Sequence, residues 1–129
     1  MIYLDTSVAL AHLLAEDRQP SAELWGETLV SSRLLEYELW IRIHALGLGL
    51  SHDEPVRQLL ARVGLVELAP PVLARALEPF PLAVRTLDAL HLATLDFLRV
   101  RGQTIALASY DERLIAAARA LGFASTGLI

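Results

Sequence analysis

The chain contains neither cysteine nor lysine. Without thiols there can be no disulfide, no thiolate metal site and no cysteine nucleophile. Without lysine there is no Schiff-base chemistry and no Walker-type phosphate lysine. All 11 basic residues are arginine. Histidine is scarce as well: there are 4, and no two stand at a zinc-binding spacing such as H-E-x-x-H. Long apolar runs are missing. Charge-free stretches such as residues 43–51 and 102–110 fall far short of the roughly 20 apolar residues that a spanning helix needs. The opening MIYLDTS has no basic region and reaches an acid at Asp5, so a signal peptide is not expected and a cytoplasmic location is. Fifteen acids against 11 bases give a net charge of -4. That argues against a broad electrostatic grip on nucleic acid, but it permits a metal-bridged contact to phosphate.

What is present reads as one domain, residues 1–129, with no repeat and no Pro/Gly/Ser linker. Hydrophobic residues make up 54% of 129 positions, which excludes disorder. A chain of this length buries roughly two-thirds of its unfolded surface, enough for an unstapled core.

Short apolar runs at 2–4, 29–31, 66–68, 104–108 and 123–125 read as strands. Helical periodicity is expected over 7–16, 32–46, 51–63, 86–101 and 112–121, with shorter helices after Pro20 and Pro70. Gly47, Gly49, Gly64, Gly102 and Gly122 are taken as stops. Strands alternating with helices predict an α/β fold, a three-layer α/β/α sandwich around a parallel sheet.

In such a sheet, ligands sit beyond the carboxyl ends of the strands. Asp5 ends the first strand, and Asp111 follows the 104–108 strand within three residues. Asp88 opens the 86–101 helix, and Glu38 interrupts the apolar face of the 32–46 helix. Glu36 lies about 200° away round the same helix, so only one of the pair can face the crevice. Each acid alone has a structural explanation. Asp5 can cap the first helix. Asp88 can complement a macrodipole, and Glu38 can pair with Arg42. Ser109 with Glu112 fits a capping box that leaves Asp111 incidental. Together, four converging carboxylates would repel one another unless a cation neutralised them, and oxygen-only ligands suit Mg²⁺ or Mn²⁺. Thr6, Ser7 and Ser109 can donate hydrogen bonds to carboxylates or to phosphate. His91 reads as a satisfied helix histidine, and Asp96 as a partner of Arg99 on a solvated face.

The strings YLDTSVAL, SSRLLEYELWIRI, RTLDALHLATL and ALASYDERLIAAARALG resemble, in order and spacing, PIN-domain ribonucleases, specifically the VapC-type toxins of toxin–antitoxin pairs. The resemblance spans the whole chain, and Asp-Ala-x-His-Leu-Ala is its most specific string. It implies metal-dependent hydrolysis of RNA phosphodiesters. Asp5, Glu38, Asp88 and Asp111 would be the catalytic, metal-holding acids for one or two Mg²⁺ or Mn²⁺ ions, and Arg85 a candidate for flanking phosphates. Ser109 stands where the family often has threonine. The resemblance also implies a small DNA-binding antitoxin as partner.

Other Asp-rich Mg²⁺ domains fit less well. A phosphotransfer receiver needs a lysine. A phosphatase with an Asp nucleophile needs a second Asp where Ser7 stands, and it also relies on a lysine. A non-catalytic module that sequesters RNA or protein is the remaining alternative. The residues Leu39, Trp40, Ile41 and Ile43, continued by Leu46, Leu48 and Leu50, exceed what one core needs, so a homodimer is expected. An antitoxin tail is expected in the groove between the Glu38 helix and the helix after Gly47 and Gly49.

Overall fold

The computed structural model describes all residues, 1–129. Five parallel strands form one sheet in the order β3-β2-β1-β4-β5: β1 (Ile2–Leu4), β2 (Leu29–Ser32), β3 (Val63–Val66), β4 (Ala106–Ala108) and β5 (Ala124–Ser125). Six α-helices connect them: α1 (Thr6–Leu13), α2 (Leu34–Ala45), α3 (Asp53–Ala61), α4 (Pro70–Ala76), α5 (Thr86–Val100) and α6 (Glu112–Ala120). A 3-10 segment over Ala22–Gly26 precedes β2.

The two-residue alternation of the strands divides the core. Ile2, Leu4 and Leu29 pack on one face with Val8, Leu35, Leu39 and Leu59 from α1, α2 and α3. Tyr3, Val30 and Leu107 point to the other face, against Leu92, Leu95, Leu114 and Ala118 from α5 and α6. Both faces are covered, which is why the central strands read as continuous apolar runs. This is the three-layer sandwich expected from the sequence.

The chain leaves β1 in one direction through β2 and β3, then returns to build β4 and β5 on the other side. The reversal opens a crevice at the carboxyl ends of β1 and β4, the usual ligand position in open parallel sheets. The backbone already ties those ends together: the Asp5 amide donates to the Ala108 carbonyl at 3.0 Å.

Three local expectations differ from the structure. Gly64 does not stop a helix; it lies within β3, paired with Val30. An edge strand of four residues, VGLV, has too little alternation to be told from a helix end. Asp96 is not on a solvated face. It joins Arg99 at 2.7 Å, as expected, but also Arg75 of α4 at 2.7 Å. Burial pushes its carboxyl up, and the hydrogen bonds from the two arginines outweigh that and hold it below the usual range.

The third difference is α1, which ends at Leu13 rather than at residue 16. Ala15 adopts a left-handed φ of 50°. Its amide donates to the His12 carbonyl, and the Glu16 amide to the Ala11 carbonyl. This is a Schellman stop with alanine at the position glycine usually fills, so no glycine announces it in the sequence. Ala15→Gly is expected to stabilise the fold by about 1 kcal/mol, because glycine adopts φ > 0 without the Cβ penalty. Thermal unfolding of the purified variant checks this; a lower melting temperature would contradict the strain.

Candidate active site

Asp5 is the N-cap of α1 and is almost fully buried. Its Oδ2 accepts from Ser7 Oγ at 2.6 Å, Ser109 Oγ at 2.8 Å and the Ser7 amide at 3.4 Å. Its Oδ1 has no donor. Ser109 also accepts from the Asp111 amide at 3.0 Å, so one hydroxyl links the ends of β1 and β4. The capping-box expectation is corrected here: Asp111, not Ser109, caps α6. Its Oδ1 accepts from the amides of Arg113 and Leu114 at 2.9 and 3.3 Å, leaving Oδ2 free.

Glu38 is aimed by the burial pattern of α2. Leu35, Leu39 and Ile43 repeat every four residues into the core, and Glu38 rides beside that stripe. It does not pair with Arg42. Its Oε1 accepts from Thr6 Oγ1 at 2.9 Å and from His91 Nε2 at 2.6 Å, and Oε2 is left without a donor. Glu36 points elsewhere, to Arg33 at 3.4 Å. The register question left open by the sequence is thus answered in favour of Glu38 lying at the crevice.

His91 is buried at 2% exposure and bridges two layers. A carboxylate only accepts, so Nε2–H donates to Glu38. In the neutral ring Nδ1 then accepts from the Tyr3 hydroxyl at 2.7 Å. Burial opposes the charged ring. The hydrogen bond and charge of Glu38, with the charges of Asp5 and Asp88, outweigh it and raise the imidazole above its ordinary value. Tyr3 is raised far above its own ordinary value, chiefly by burial, so its hydroxyl keeps its proton. Sequence reading treated His91 as satisfied, which it is, and missed that its partner is Glu38. Tyr3 gave no signal, because a buried tyrosine in a strand looks like core.

Asp88 sits half-buried in the first turn of α5 with no hydrogen-bond donor. Burial, then the negative charges of Asp111 and Asp5, raise its carboxyl above the usual range, opposed by His91 and Arg85. Asp88 therefore lies within the field of both Asp111 and Asp5.

The segments that furnish these groups run from β1 to α6. A family model described as the PIN domain matches residues 2–120, which include all of them. The chain belongs to the PIN-domain family. It is 32% identical over 138 residues to Ribonuclease VapC47 of Mycobacterium tuberculosis (strain CDC 1551 / Oshkosh), covering 100% of this chain and 99% of the relative. Ribonuclease VapC46 of strain ATCC 25618 / H37Rv is 34% identical over 126 residues, covering 95% of this chain and 94% of the relative. Ribonuclease VapC35, from both strains, is 34% identical over 131 residues, covering 96% and 94%.

Does this PIN domain fit a divalent cation? No three of its carboxylate and imidazole groups lie close enough together to hold one as the side chains stand. The donor chemistry nonetheless suits one. Asp5, Glu38 and Asp111 each engage a single oxygen with the protein and leave the other without a donor, and Asp88 leaves both. Like charges gathered without a donor destabilise one another until a cation arrives. Mg²⁺ keeps several waters and usually takes only one or two carboxylates directly, so a tight cluster is not required.

The contrast between the two glutamates is testable. Glu36→Gln is expected to leave RNA cleavage within about twofold, since it touches only Arg33, in a partly exposed pair of the kind worth ~0–1 kcal/mol. Glu38→Gln is expected to lower cleavage by about 100-fold, because it alters the carboxylate that Thr6 and His91 hold at the crevice. Initial rates on the same RNA decide it, and equal effects would refute the assignment.

Proposed function

We propose that this PIN domain is a metal-dependent endoribonuclease and the toxin of a toxin–antitoxin pair. The observation that carries the reading is the set of carboxylate oxygens without donors at the β1–β4 crevice, in a chain whose full-length relatives bear the name ribonuclease. Asp5, Glu38, Asp88 and Asp111 would hold the Mg²⁺ or Mn²⁺. Such an ion lowers the pKa of water and offsets charge that builds on the phosphate during hydrolysis.

The chain's own groups do the positioning. Ser7 and Ser109 fix the Asp5 carboxylate, and Thr6 and His91 fix that of Glu38. The α6 amides hold Asp111. Each set of donors engages one oxygen of its carboxylate and leaves the other free of protein donors. Preorganisation of this kind removes the reorganisation cost that flexible carboxylates would impose. The same domain used only to sequester RNA or protein would not need those free oxygens.

Two measurements test the reading. Millimolar Mg²⁺ or Mn²⁺ is expected to raise the melting temperature, since binding only to the native state stabilises it by RT ln(1 + [L]/Kd), about 2.7 kcal/mol at 100 Kd. Chelation is expected to abolish cleavage reversibly. A melting curve indifferent to metal, or cleavage unaffected by chelation, would refute the proposal.

Partners and location belong to the same reading. No helix is long and apolar enough to cross a membrane, and a cytoplasmic location is the one that agrees with the proposed RNA substrate. Of the apolar residues expected at an interface, Leu39 and Ile43 lie in the core, whereas Ile41, Leu46 and Leu50 are exposed and Tyr37 joins them. A second apolar surface surrounds a cavity of about 640 Å³ between α4 and α5, lined by Leu73, Leu77, Phe80, Leu82 and Leu90 among others. Surfaces of this kind support a homodimer and an antitoxin complex. Light scattering at micromolar concentration and co-purification with a co-expressed antitoxin test them; a clean monomer and a failure to co-purify would remove the two claims in turn.

A further inference from the structure

Seven of the 11 arginines are engaged within the protein. Arg33, Arg57, Arg75 and Arg99 pair with acids. Arg62 donates to the Trp25 carbonyl, and Arg18 and Arg101 lie over aromatic rings. Arg42, Arg85, Arg113 and Arg119 remain. Of these four, Arg85 and Arg113 meet in one place. With Asp88, Ala83 and Val84 they line a cavity of about 400 Å³.

Their positions work against folding. Arg85 is the N-cap of α5 and forms no capping hydrogen bond. Arg113 lies in the first turn of α6, two residues after its cap. Cations at helix N-termini oppose the macrodipole and are disfavoured there. Two such placements, from segments far apart in sequence, converge beside the one candidate acid that has no donor. Neither guanidinium hydrogen-bonds Asp88, so both forks remain open. Open arginine forks recognise planar or tetrahedral oxyanions, and they bind phosphate through two parallel N–H···O bonds.

We propose that Arg85 and Arg113 together bind one RNA backbone phosphate, the neighbour of the phosphate that is cleaved. This deepens the ribonuclease reading and rests on it. The two arginines act as binding residues that set the register of the strand: by fixing one phosphate, they fix which phosphodiester reaches Asp88. An acidic protein of net charge -4 has no general attraction for RNA, so a local pair of this kind supplies a disproportionate share of the backbone grip.

The test uses the full chain with saturating Mg²⁺ or Mn²⁺ and a pool of single-stranded RNA of mixed sequence. Arg85→Ala and Arg113→Ala are each expected to raise KM about tenfold, the loss of one charge-assisted hydrogen-bonding group, with kcat changed much less. The dependence of log(kcat/KM) on log[salt] is expected to become shallower by about 0.7, one phosphate's worth on a single strand. The double variant is expected to lose about the same slope as either single variant, because both side chains hold the same phosphate. Arg113→Lys is expected to keep the wild-type slope while recovering only part of KM. Arg119→Ala, at the far end of α6, serves as the control with unchanged slope. The melting curve of Arg113→Ala is expected to shift upward, since a cation has left a helix N-terminus.

An unchanged KM and slope in both alanine variants, with wild-type cleavage intact, would overturn this proposal alone. A double variant losing twice the slope would also overturn it, since each arginine would then hold its own phosphate. Wild-type protein that cleaves no RNA with metal present would instead overturn the ribonuclease reading.

Discussion

Asp5→Asn and Asp88→Asn are expected to reduce RNA cleavage by about 1000-fold or more while the protein stays folded. Several kcal/mol of charge stabilisation depend on the held cation, and each 1.36 kcal/mol is a factor of ten. Structure makes both variants clean. Asparagine caps helices about as well as aspartate, so α1 keeps its start at position 5, and Ser7 and Ser109 keep an acceptor. Asp88 has no donor to lose. Its raised carboxyl makes a further point about stability. A folded state that holds an acid's proton to higher pH than the unfolded chain is destabilised at neutral pH, and recovers as pH falls through the raised value. Asp88→Asn is therefore expected to melt above wild type at pH 7 in metal-free buffer, with the gap closing on acidification. Cleavage within tenfold of wild type in either variant would refute the metal-holding roles. A lower melting temperature for Asp88→Asn would refute the repulsion.

His91→Leu is expected to impair both stability and cleavage. It leaves the buried Tyr3 hydroxyl and Glu38 Oε1 each short of a partner. An unsatisfied buried group costs about 1–3 kcal/mol, which lowers the melting temperature of a domain this size by roughly 3–12 °C. Cleavage is expected to fall about 10–100-fold, the usual effect of removing the group that orients a metal-holding side chain. Tyr3→Phe is expected to destabilise by a similar mechanism yet keep cleavage within tenfold, because His91 still reaches Glu38. Circular dichroism melts and initial rates on both variants separate the roles. A His91→Leu protein with wild-type melting and rates would show that the chain of hydrogen bonds is idle.

Sequence legibility followed physical cause. The sandwich was readable because β1, β2 and β4 are short apolar runs buried on both faces, and because α5 has strong helical periodicity bounded by Gly102. The acids were readable because a charge in an apolar stripe needs a reason: Glu38 beside Leu35 and Leu39, Asp88 beside Leu92. Stops made without glycine were not readable, as at Ala15, and neither was the edge strand around Gly64. Cross-layer contacts were invisible too. That His91 meets Glu38, 53 positions away, and Tyr3, 88 away, depends on tertiary packing that no local pattern encodes. The one signal available for Arg113 was its location at a helix start, where a cation is out of place.

The hydroxyl of Ser109 donates to Asp5 across 104 positions of sequence. Synthesis makes Asp5 104 residues before Ser109, so until β4 has emerged its carboxylate has only Ser7 as a donor. Asp111 comes two residues later still. A growing chain therefore displays Asp5 and then Glu38 before their full sets of donors exist, Ser109 still missing for the one and His91 for the other. Long-range pairings of this kind also form late in folding, after local helices. The crevice is thus complete only once the chain has been made past Asp111, and a shorter nascent segment lacks the assembled set of acids and donors.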